Sequence, residues 1–513
     1  MAAIVVTGDT GEFAGGLAGR HVCVAGLGVS GPPAARLLAA RGALVTAVDS
    51  RDDAERKEIA GALGSHRVEV ALGPAAADAL PAGTDLVVTS PGWAPSAPLL
   101  AAAAAAGVEV MGDVELAWRL RPGWPGGRRQ QWLGVTGTNG KTTTVRMLAL
   151  MLRAAGYRAV AAGNVGTSLA DVVADPEPYE VVAVELSSFQ LHWSSTIAPL
   201  AAVVLNVAAH HLDWHGTMEA YAADKAKIFA PGTIAIGNAG DQRSAAMAAR
   251  AGAAGAPQVA LFRLGEPGPG EIGVAGGFLM DRAFAVGPGG RGVRLASTAD
   301  LTVGDGSSRS DNGRSAPDNG RSAPDRRPAP HIIADALAAA ALARAYGTPP
   351  EAIAAGLRGF RPDPHRIALV GRVAGVDYVD DSKATNPHAA AASLAAYARV
   401  VWAAGGLLKG ADDDLDEMVG TAAPRLRGVV LFGADREKIA AALGRHAPKV
   451  PVIEVTGTDT GAMDHVVRAA AGLAEPGDTV LLAPAAQSFD MFRDYPARGD
   501  AFAAAVRRLA AAR

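Results

Sequence analysis

One cysteine, Cys23, stands in a chain of 513 residues, so no internal disulfide can form, and a reducing compartment is the expected setting. Cys23 lies in the apolar run His21-Val22-Cys23-Val24-Ala25, where the expected role is that of a buried strand residue rather than a nucleophile. Neither sign of charge dominates. Lys plus Arg number 48 and Asp plus Glu 51, a net of −3, which leaves no electrostatic footprint for nucleic acid or an anionic membrane. Long hydrophobic runs are missing as well. The most membrane-like stretch, residues 99–106, is too short to span a bilayer and stops at Gly107; it reads as an Ala-rich helix. The first residues lack the basic start and long apolar core of a signal peptide, so the expectation is a cytoplasmic protein without membrane insertion.

What is present is the balance of a globular protein, 49 % hydrophobic and 19 % charged. At about 150 residues per domain, the length suggests about three domains. Apolar β-type runs at 44–48, 86–89, 132–136, 181–184, 202–205, 376–379, 400–403, 429–432 and 479–483 alternate with Ala-rich helical runs. That rhythm predicts βαβ units, mainly parallel sheets and an α/β fold with ligands at the carboxyl ends of the strands. Two stretches interrupt it. Residues 121–129 form a Pro- and Gly-rich loop after a helical segment at 113–120. Residues 304–330 contain a tandem seven-residue repeat, Asp311-Asn312-Gly313-Arg314-Ser315-Ala316-Pro317 and then 318–324. With almost no apolar residues this segment cannot offset the entropy of ordering, and it reads as a disordered surface insertion. Helix-forming sequence of the same domain resumes at His331.

Five strand ends carry polar motifs. In Trp132-Leu133-Gly134-Val135-Thr136-Gly137-Thr138-Asn139-Gly140-Lys141-Thr142-Thr143-Thr144 a strand enters a glycine-rich turn and a helix starts near Lys141. Backbone N–H groups of such a turn cradle phosphate, with Lys141 reaching the β and γ phosphates and the Thr142 hydroxyl offered to Mg²⁺. Val135 stands where the strict phosphate-loop pattern has glycine. Glu185-Leu186-Ser187-Ser188-Phe189-Gln190 places a carboxylate where Mg²⁺ could be held. Asn206 to Asp213 includes His210 and His211, and Asp224-Lys225-Ala226-Lys227 follows; standing alone these read as surface residues. Gly26, Gly28 and Gly31 fit a dinucleotide-type fingerprint, with Asp49 ending the next strand. Asp380-Asp381-Ser382-Lys383-Ala384-Thr385-Asn386 packs charges and hydroxyls at one strand end, where an anionic substrate could sit or a solvated loop could form.

Together these segments resemble the Mur ligases over essentially the whole chain outside the repeat insertion. The family patterns stand here as Thr136-Gly137-Thr138-Asn139-Gly140-Lys141-Thr142 and as Glu185-Leu186-Ser187-Ser188-Phe189-Gln190-Leu191. Asp381-Ser382-Lys383-Ala384-Thr385-Asn386 is similar to the branch of the family that adds D-glutamate. The resemblance implies three domains: a Rossmann-like UDP-substrate domain at 1–112, a central ATP-binding domain at 113–361 and a Rossmann-like amino-acid domain at 362–513. It implies a monomeric ATP-dependent ligase joining D-glutamate to UDP-N-acetylmuramoyl-L-alanine, with ATP and two Mg²⁺ ions. Gly137, Thr138, Asn139, Gly140, Lys141, Thr142 and Thr143 would hold ATP phosphates, with Arg366 and Asp381 also on ATP. Thr142, Glu185, His211 and Lys225 would face Mg²⁺, Lys225 being the lysine that the family carbamylates. Gly28, Val29, Ser30, Asp49, Arg51, Ser90, Gly92, Asn164 and Gln190 would lie near the UDP-muramoyl substrate. Lys383, Thr385, Lys409, Ser488, Phe489 and Tyr495 would form the D-glutamate pocket. Ile332 and Asp335 stand where the family has asparagines near the adenine, and His210 where an acidic residue is usual.

Three other readings follow from subsets of these residues. A different Mur or folylpolyglutamate-type ligase would share the phosphate loop but not residues 381–386. A catalytically silent nucleotide-binding homologue would explain Ile332 and Asp335 but not the intact Lys141, Glu185 and Lys225. An NAD-dependent oxidoreductase rests on Gly26, Gly28 and Gly31 alone.

Overall fold

The structure is a computed structural model, and it describes residues 13, 16–124, 127–208, 210–286, 292–301, 328–361, 364–408, 412–457 and 461–512. Lys409 and all but the last residues of the repeat insertion lie outside the described residues. Two compact units account for the rest. One is drawn from 1–207, 213–297 and 334–359, and the other from 208–212, 298–333 and 360–513.

The described residues form three sheets, and the α/β expectation holds in each. In the first unit a five-stranded, all-parallel sheet runs in the order Val68–Leu72, Leu44–Asp49, His21–Ala25, Leu86–Thr89, Glu109–Gly112. Its earliest strand lies between the second and the fourth. Chain direction across the sheet therefore reverses at the carboxyl end of His21–Ala25, which opens a crevice for a ligand. Cys23 is 1 % exposed in this strand, and burial pushes its thiol up to about 12, so the residue is inert as expected.

A nine-stranded sheet fills the rest of the first unit. Gln131–Thr136 sits between Ala201–Val204 and Val181–Glu185, all three parallel, so this sheet also reverses beside the strand that precedes the glycine-rich turn. Every residue of Val181–Glu185 is buried, which is why the strand reads as a continuous apolar run rather than an alternating one. Three strands at one edge, Glu271–Ala275, Phe278–Val286 and Gly292–Ser297, turn antiparallel. Sequence reasoning passed over them. Their signal is the pair Gly276-Gly277, both at positive φ (57° and 78°), which suits a tight hairpin.

The second unit has one six-stranded sheet in the order Ala368–Val373, Val376–Asp380, Thr479–Leu482, Val400–Gly405, Leu426–Phe432, Val452–Glu454. It is parallel apart from the edge hairpin of its first two strands. Among the described residues no helix is long and apolar enough to cross a membrane.

The helix Lys141–Ala154 packs closely on Pro350–Gly359, and Gly356 makes this approach possible. A Cβ at Gly356 would lie 2.6 Å from both the N and Cα of Met151, backbone atoms that cannot rotate away. Gly356→Ala should therefore destabilise the protein by about 1–3 kcal/mol through overpacking, although alanine is the better helix former. A thermal midpoint equal to or above the parent's would contradict the tight contact.

Candidate active site

The phosphate-loop candidate has the expected strand, turn and helix, Gln131–Thr136 running through residues 137–140 into Lys141–Ala154. Gly137 (φ 154°) and Gly140 (φ 86°) adopt conformations that side chains rarely take. A Cβ on Gly137 would lie 2.9 Å from Leu205 Cβ, and one on Gly140 would overlap Oδ1 of Asp335. Asn206 braces the loop from the neighbouring strand end. Its carbonyl accepts from Thr138 N at 2.9 Å, its Oδ1 accepts from Asn139 N at 2.8 Å, and its Nδ2 donates to Asn139 O at 3.2 Å.

Two lysines converge on one carbonyl oxygen. Lys141 Nζ donates to Gly137 O at 2.9 Å and to Thr138 O at 3.0 Å. Lys225 Nζ donates to the same Gly137 O at 3.0 Å and to Thr136 Oγ1 at 3.4 Å. Lys225 is 2 % exposed, and its ammonium lies 4.7 Å from the Tyr221 ring centroid. Burial, and then the charge of Lys141, hold the Lys225 ammonium well below its ordinary range, so the amine is driven toward its neutral form. Tyr221 ties the helix Met218–Ala226, which also carries Lys225, to the loop, its hydroxyl 3.0 Å from Thr138 Oγ1.

Glu185 ends its strand 1 % exposed with both carboxylate oxygens engaged. Oε2 accepts from Thr142 Oγ1 at 2.8 Å and Oε1 from Asn164 Nδ2 at 3.1 Å. Gly163 permits this, because a Cβ there would overlap the Glu185 carbonyl. The Thr142 hydroxyl and Glu185 carboxylate are adjacent hard oxygen donors at a phosphate-type loop, so these residues fit Mg²⁺, which takes one or two protein oxygens with water and substrate phosphates. Thr143 is buried in the first turn of the helix. Gln190 Oε1 accepts from Ser187 N at 2.9 Å in a capping box, so in this state its amide oxygen serves the helix start. His211 falls in segment 208–212 of the other unit, with its backbone in the left-handed region at φ 56°.

The amino-terminal loop is built around Gly26 and Asp49. Gly26 (φ 97°) has Ser90 Oγ and Trp93 Nε1 each 2.8 Å from where a Cβ would stand, and Ser90 Oγ donates to Gly26 O at 3.1 Å. Among the described residues nothing lies within 4 Å of a Cβ at Gly28 or Gly92, which leaves the backbone open to a ligand there. Val29 is 86 % exposed at the loop tip. Asp49 is buried. Its carboxylate accepts from Leu27 N at 2.7 Å and Arg51 N at 2.9 Å and pairs with Arg56 at 3.3 Å, so it shapes the loop, while the Arg51 side chain is half exposed. Ser30 hydrogen-bonds the carboxyl of Asp113, which burial pushes up to about 6.

In the second unit, Arg498 is fully buried and holds three strand-end loops together. Its guanidinium donates to Ser382 Oγ and Ser382 O, both at 2.9 Å, to Ala486 O at 3.0 Å and to Gly405 O at 3.4 Å. These loops bring Lys383 and Tyr495 together, with the Lys383 ammonium 3.9 Å from the ring centroid. Thr385 N donates to Lys383 O at 2.8 Å. Ser488 is buried, whereas Phe489 is 64 % exposed. Asp381 is buried, accepts from Ser393 Oγ and feels the charge of Arg366. Sequence reasoning missed Asn206, Tyr221 and Arg498 as site residues. Asn206 lies within a motif already singled out, but a buried arginine on a helix carries no local pattern.

Burial raises the Asp381 carboxyl to about 6, against the opposing pull of Ser393 and Arg366. The folded state then favours the protonated form. The stability from this group is fully present below the unfolded value of about 3.9 and is lost as pH rises through about 6. Asp381→Asn should accordingly flatten the fall in denaturant midpoint between about pH 4 and about pH 6. A variant profile as steep as the parent's would contradict a carboxyl kept protonated by burial.

Family models match along the chain: the Mur ligase MurD-like N-terminal domain at 20–112, the Mur ligase middle domain at 135–267 and the Mur ligase glutamate ligase domain at 365–486. The chain is 57 % identical over 496 residues to the UDP-N-acetylmuramoylalanine–D-glutamate ligase of Thermobifida fusca, covering 96 % of this chain and 99 % of that one. It is 53 % identical over 494 residues to the protein of the same name from Streptomyces avermitilis, again covering 96 % and 99 %. Solved structures with this fold include a pseudomurein peptide ligase type C from Methanothermus fervidus, at 15 % identity and TM-score 0.55 over 96 % of this chain and all of that one. The UDP-N-acetylmuramate–alanine ligase of Thermotoga maritima matches over the same shares at 16 % identity and TM-score 0.52. The chain belongs to the Mur ligase family.

Proposed function

We propose that this chain is the ATP-dependent ligase that adds D-glutamate to UDP-N-acetylmuramoyl-L-alanine in the cytoplasm, acting as a monomer in peptidoglycan precursor synthesis. The observation that carries the chemistry is the pairing of Thr142 with Glu185 beneath a loop that also holds Lys141 and Lys225. Full-length likeness to the D-glutamate ligases supports the choice of substrates. The proposed organisation is a UDP-substrate domain at 1–112, an ATP domain at 113–361 and an amino-acid domain at 362–513.

A carboxylate and an ammonium do not condense in water, because hydroxide is a poor leaving group and the amine is protonated. Phosphoryl transfer solves the first problem. An L-alanine carboxylate oxygen bonds to the γ-phosphorus and ADP leaves. The D-glutamate amine then attacks the acyl carbon, losing a proton, and phosphate departs with the carboxylate oxygen. Anions must approach one another in the first step, so the protein's task is screening and positioning. Lys141 and the loop N–H groups would bind the phosphates. Thr142 and Glu185 would hold Mg²⁺, His211 and Lys225 would serve a second ion, and such ions supply charge neutralisation when bound. Neutral Lys225 is the form that can take up CO₂, and a carbamate would turn a buried cation into an oxygen ligand. Gly28, Ser30, Ser90, Gly92 and Asn164 would meet the UDP-muramoyl group. Arg366 and Asp381 would meet ATP, and Lys383, Thr385, Ser488 and Tyr495 would meet D-glutamate.

Phosphate release measured with ATP, Mg²⁺, UDP-N-acetylmuramoyl-L-alanine and a panel of amino acids tests the reading. Release should depend on D-glutamate and not on L-glutamate. Release with another acceptor alone would move the specificity to a sister ligase, and no release with any acceptor would overturn the proposal. Lys141→Ala should lower kcat by at least about a thousandfold. Lys225→Arg keeps a long basic side chain but cannot be carbamylated. It should fold and yet lose at least about a hundredfold in kcat; near-parental kcat would rule out the carbamate.

A further inference from the structure

Behind the helix Met218–Ala226, which carries Lys225, three side chains converge on Asp224. Asp224 Oδ2 meets His192 Nδ1 at 2.9 Å and His215 Nδ1 at 3.1 Å, and Oδ1 meets Lys227 Nζ at 2.9 Å. The far nitrogen of His215, Nε2, lies 2.9 Å from Ser188 Oγ. An ionised carboxylate only accepts, so His215 carries a proton on Nδ1, and its Nε2 in the neutral ring accepts the Ser188 hydroxyl proton. The imidazole has little freedom. Its side chain is 1 % exposed, and Phe189 stacks on it at 5.3 Å and 8°. The order serine, histidine, aspartate is that of a nucleophile relay. Ser188, however, is 3 % exposed at the start of the helix Ser188–His192, so it orients rather than attacks.

The two ends of this chain of bonds matter most. Asp224 immediately precedes Lys225, and Ser188 follows Glu185 by three residues. The relay therefore bolts the Lys225 helix to the turn that leaves the Glu185 strand. Among the described residues the Lys225 amine donates to Gly137 O and Thr136 Oγ1, so a small slip of its helix would break both bonds. Apolar packing would fill the same space without fixing one setting; a satisfied polar network fixes it.

We propose that Ser188, His215 and Asp224 form a positioning relay that holds Glu185 and Lys225 in one setting toward the phosphate loop. The proposal rests on the ligase reading, in which those two groups serve the reaction.

Ser188→Ala, His215→Asn, their double variant and His215→Gln test it. Each variant is measured for kcat, for KM of D-glutamate, and for Mg²⁺-ADP affinity by calorimetry, which needs no turnover. A buried hydrogen bond is worth up to about tenfold, so Ser188→Ala and His215→Asn should each lower kcat by about that factor. KM for D-glutamate should stay within about twofold, and Mg²⁺-ADP binding should weaken alongside kcat. Because one relay is cut in either case, the double variant should fall no further than the worse single one. His215→Gln, whose side-chain carbonyl can reach Ser188, should regain part of the loss. Unchanged kcat and Mg²⁺-ADP affinity in Ser188→Ala, or fully additive losses in the double variant, would overturn the relay. A parent chain that never turns over D-glutamate would count against the ligase reading instead, and calorimetry would still decide the relay.

Discussion

Two lysine ammonium groups within hydrogen-bond reach of one carbonyl oxygen set the terms for the rest of the site. Lys141 and Lys225 both donate to Gly137 O, at 2.9 and 3.0 Å, inside a loop closed by glycines and braced by Asn206. A buried ammonium and a half-buried one this close repel each other. The repulsion ends when the amine of Lys225 is neutral or when anions arrive to share the cations. Both responses suit the proposed role of the loop in holding polyphosphate. Burial first and the charge of Lys141 second hold the Lys225 ammonium well below its ordinary range.

The surrounding fold keeps this crowding in place. In the first unit, the loops after His21–Ala25 and Gln131–Thr136 both lie where strand order reverses in their sheets. Polar groups are gathered at carboxyl ends of parallel strands, while the strands themselves remain apolar. Short-range constraints then set each group: glycines at 26, 137, 140 and 163 permit close approach, and Asp49, Asn206 and Arg498 fasten backbone with their side chains. The second unit uses the same device in a different way. Arg498 has four carbonyl and hydroxyl acceptors and so orders three loops around Lys383 and Tyr495.

Much of this was legible in the sequence because it is local. A strand, a turn with Gly137 and Gly140, and a helix beginning at Lys141 are written in consecutive residues, as is Glu185 at a strand end. The parallel sheets were legible from the spacing of apolar runs. Groups acting across long separations were not. Asp49 holds the backbone of Leu27, and Asn206 braces the loop at Thr138 and Asn139. Ser188, His215 and Asp224 lie on three separate segments, so only folding reveals their bonds. The edge hairpin through Gly276 and Gly277 was missed because its strands are half-exposed and lack a long apolar run.

The proposed chemistry turns on the fate of one oxygen atom. UDP-N-acetylmuramoyl-L-alanine labelled with oxygen-18 in its alanine carboxylate can be turned over with ATP and D-glutamate, and the released phosphate examined by mass spectrometry. Attack by the carboxylate on the γ-phosphate predicts that each phosphate carries one labelled oxygen. Unlabelled phosphate would mean that water, not substrate, receives the phosphoryl group, and would contradict acyl-phosphate chemistry at this site.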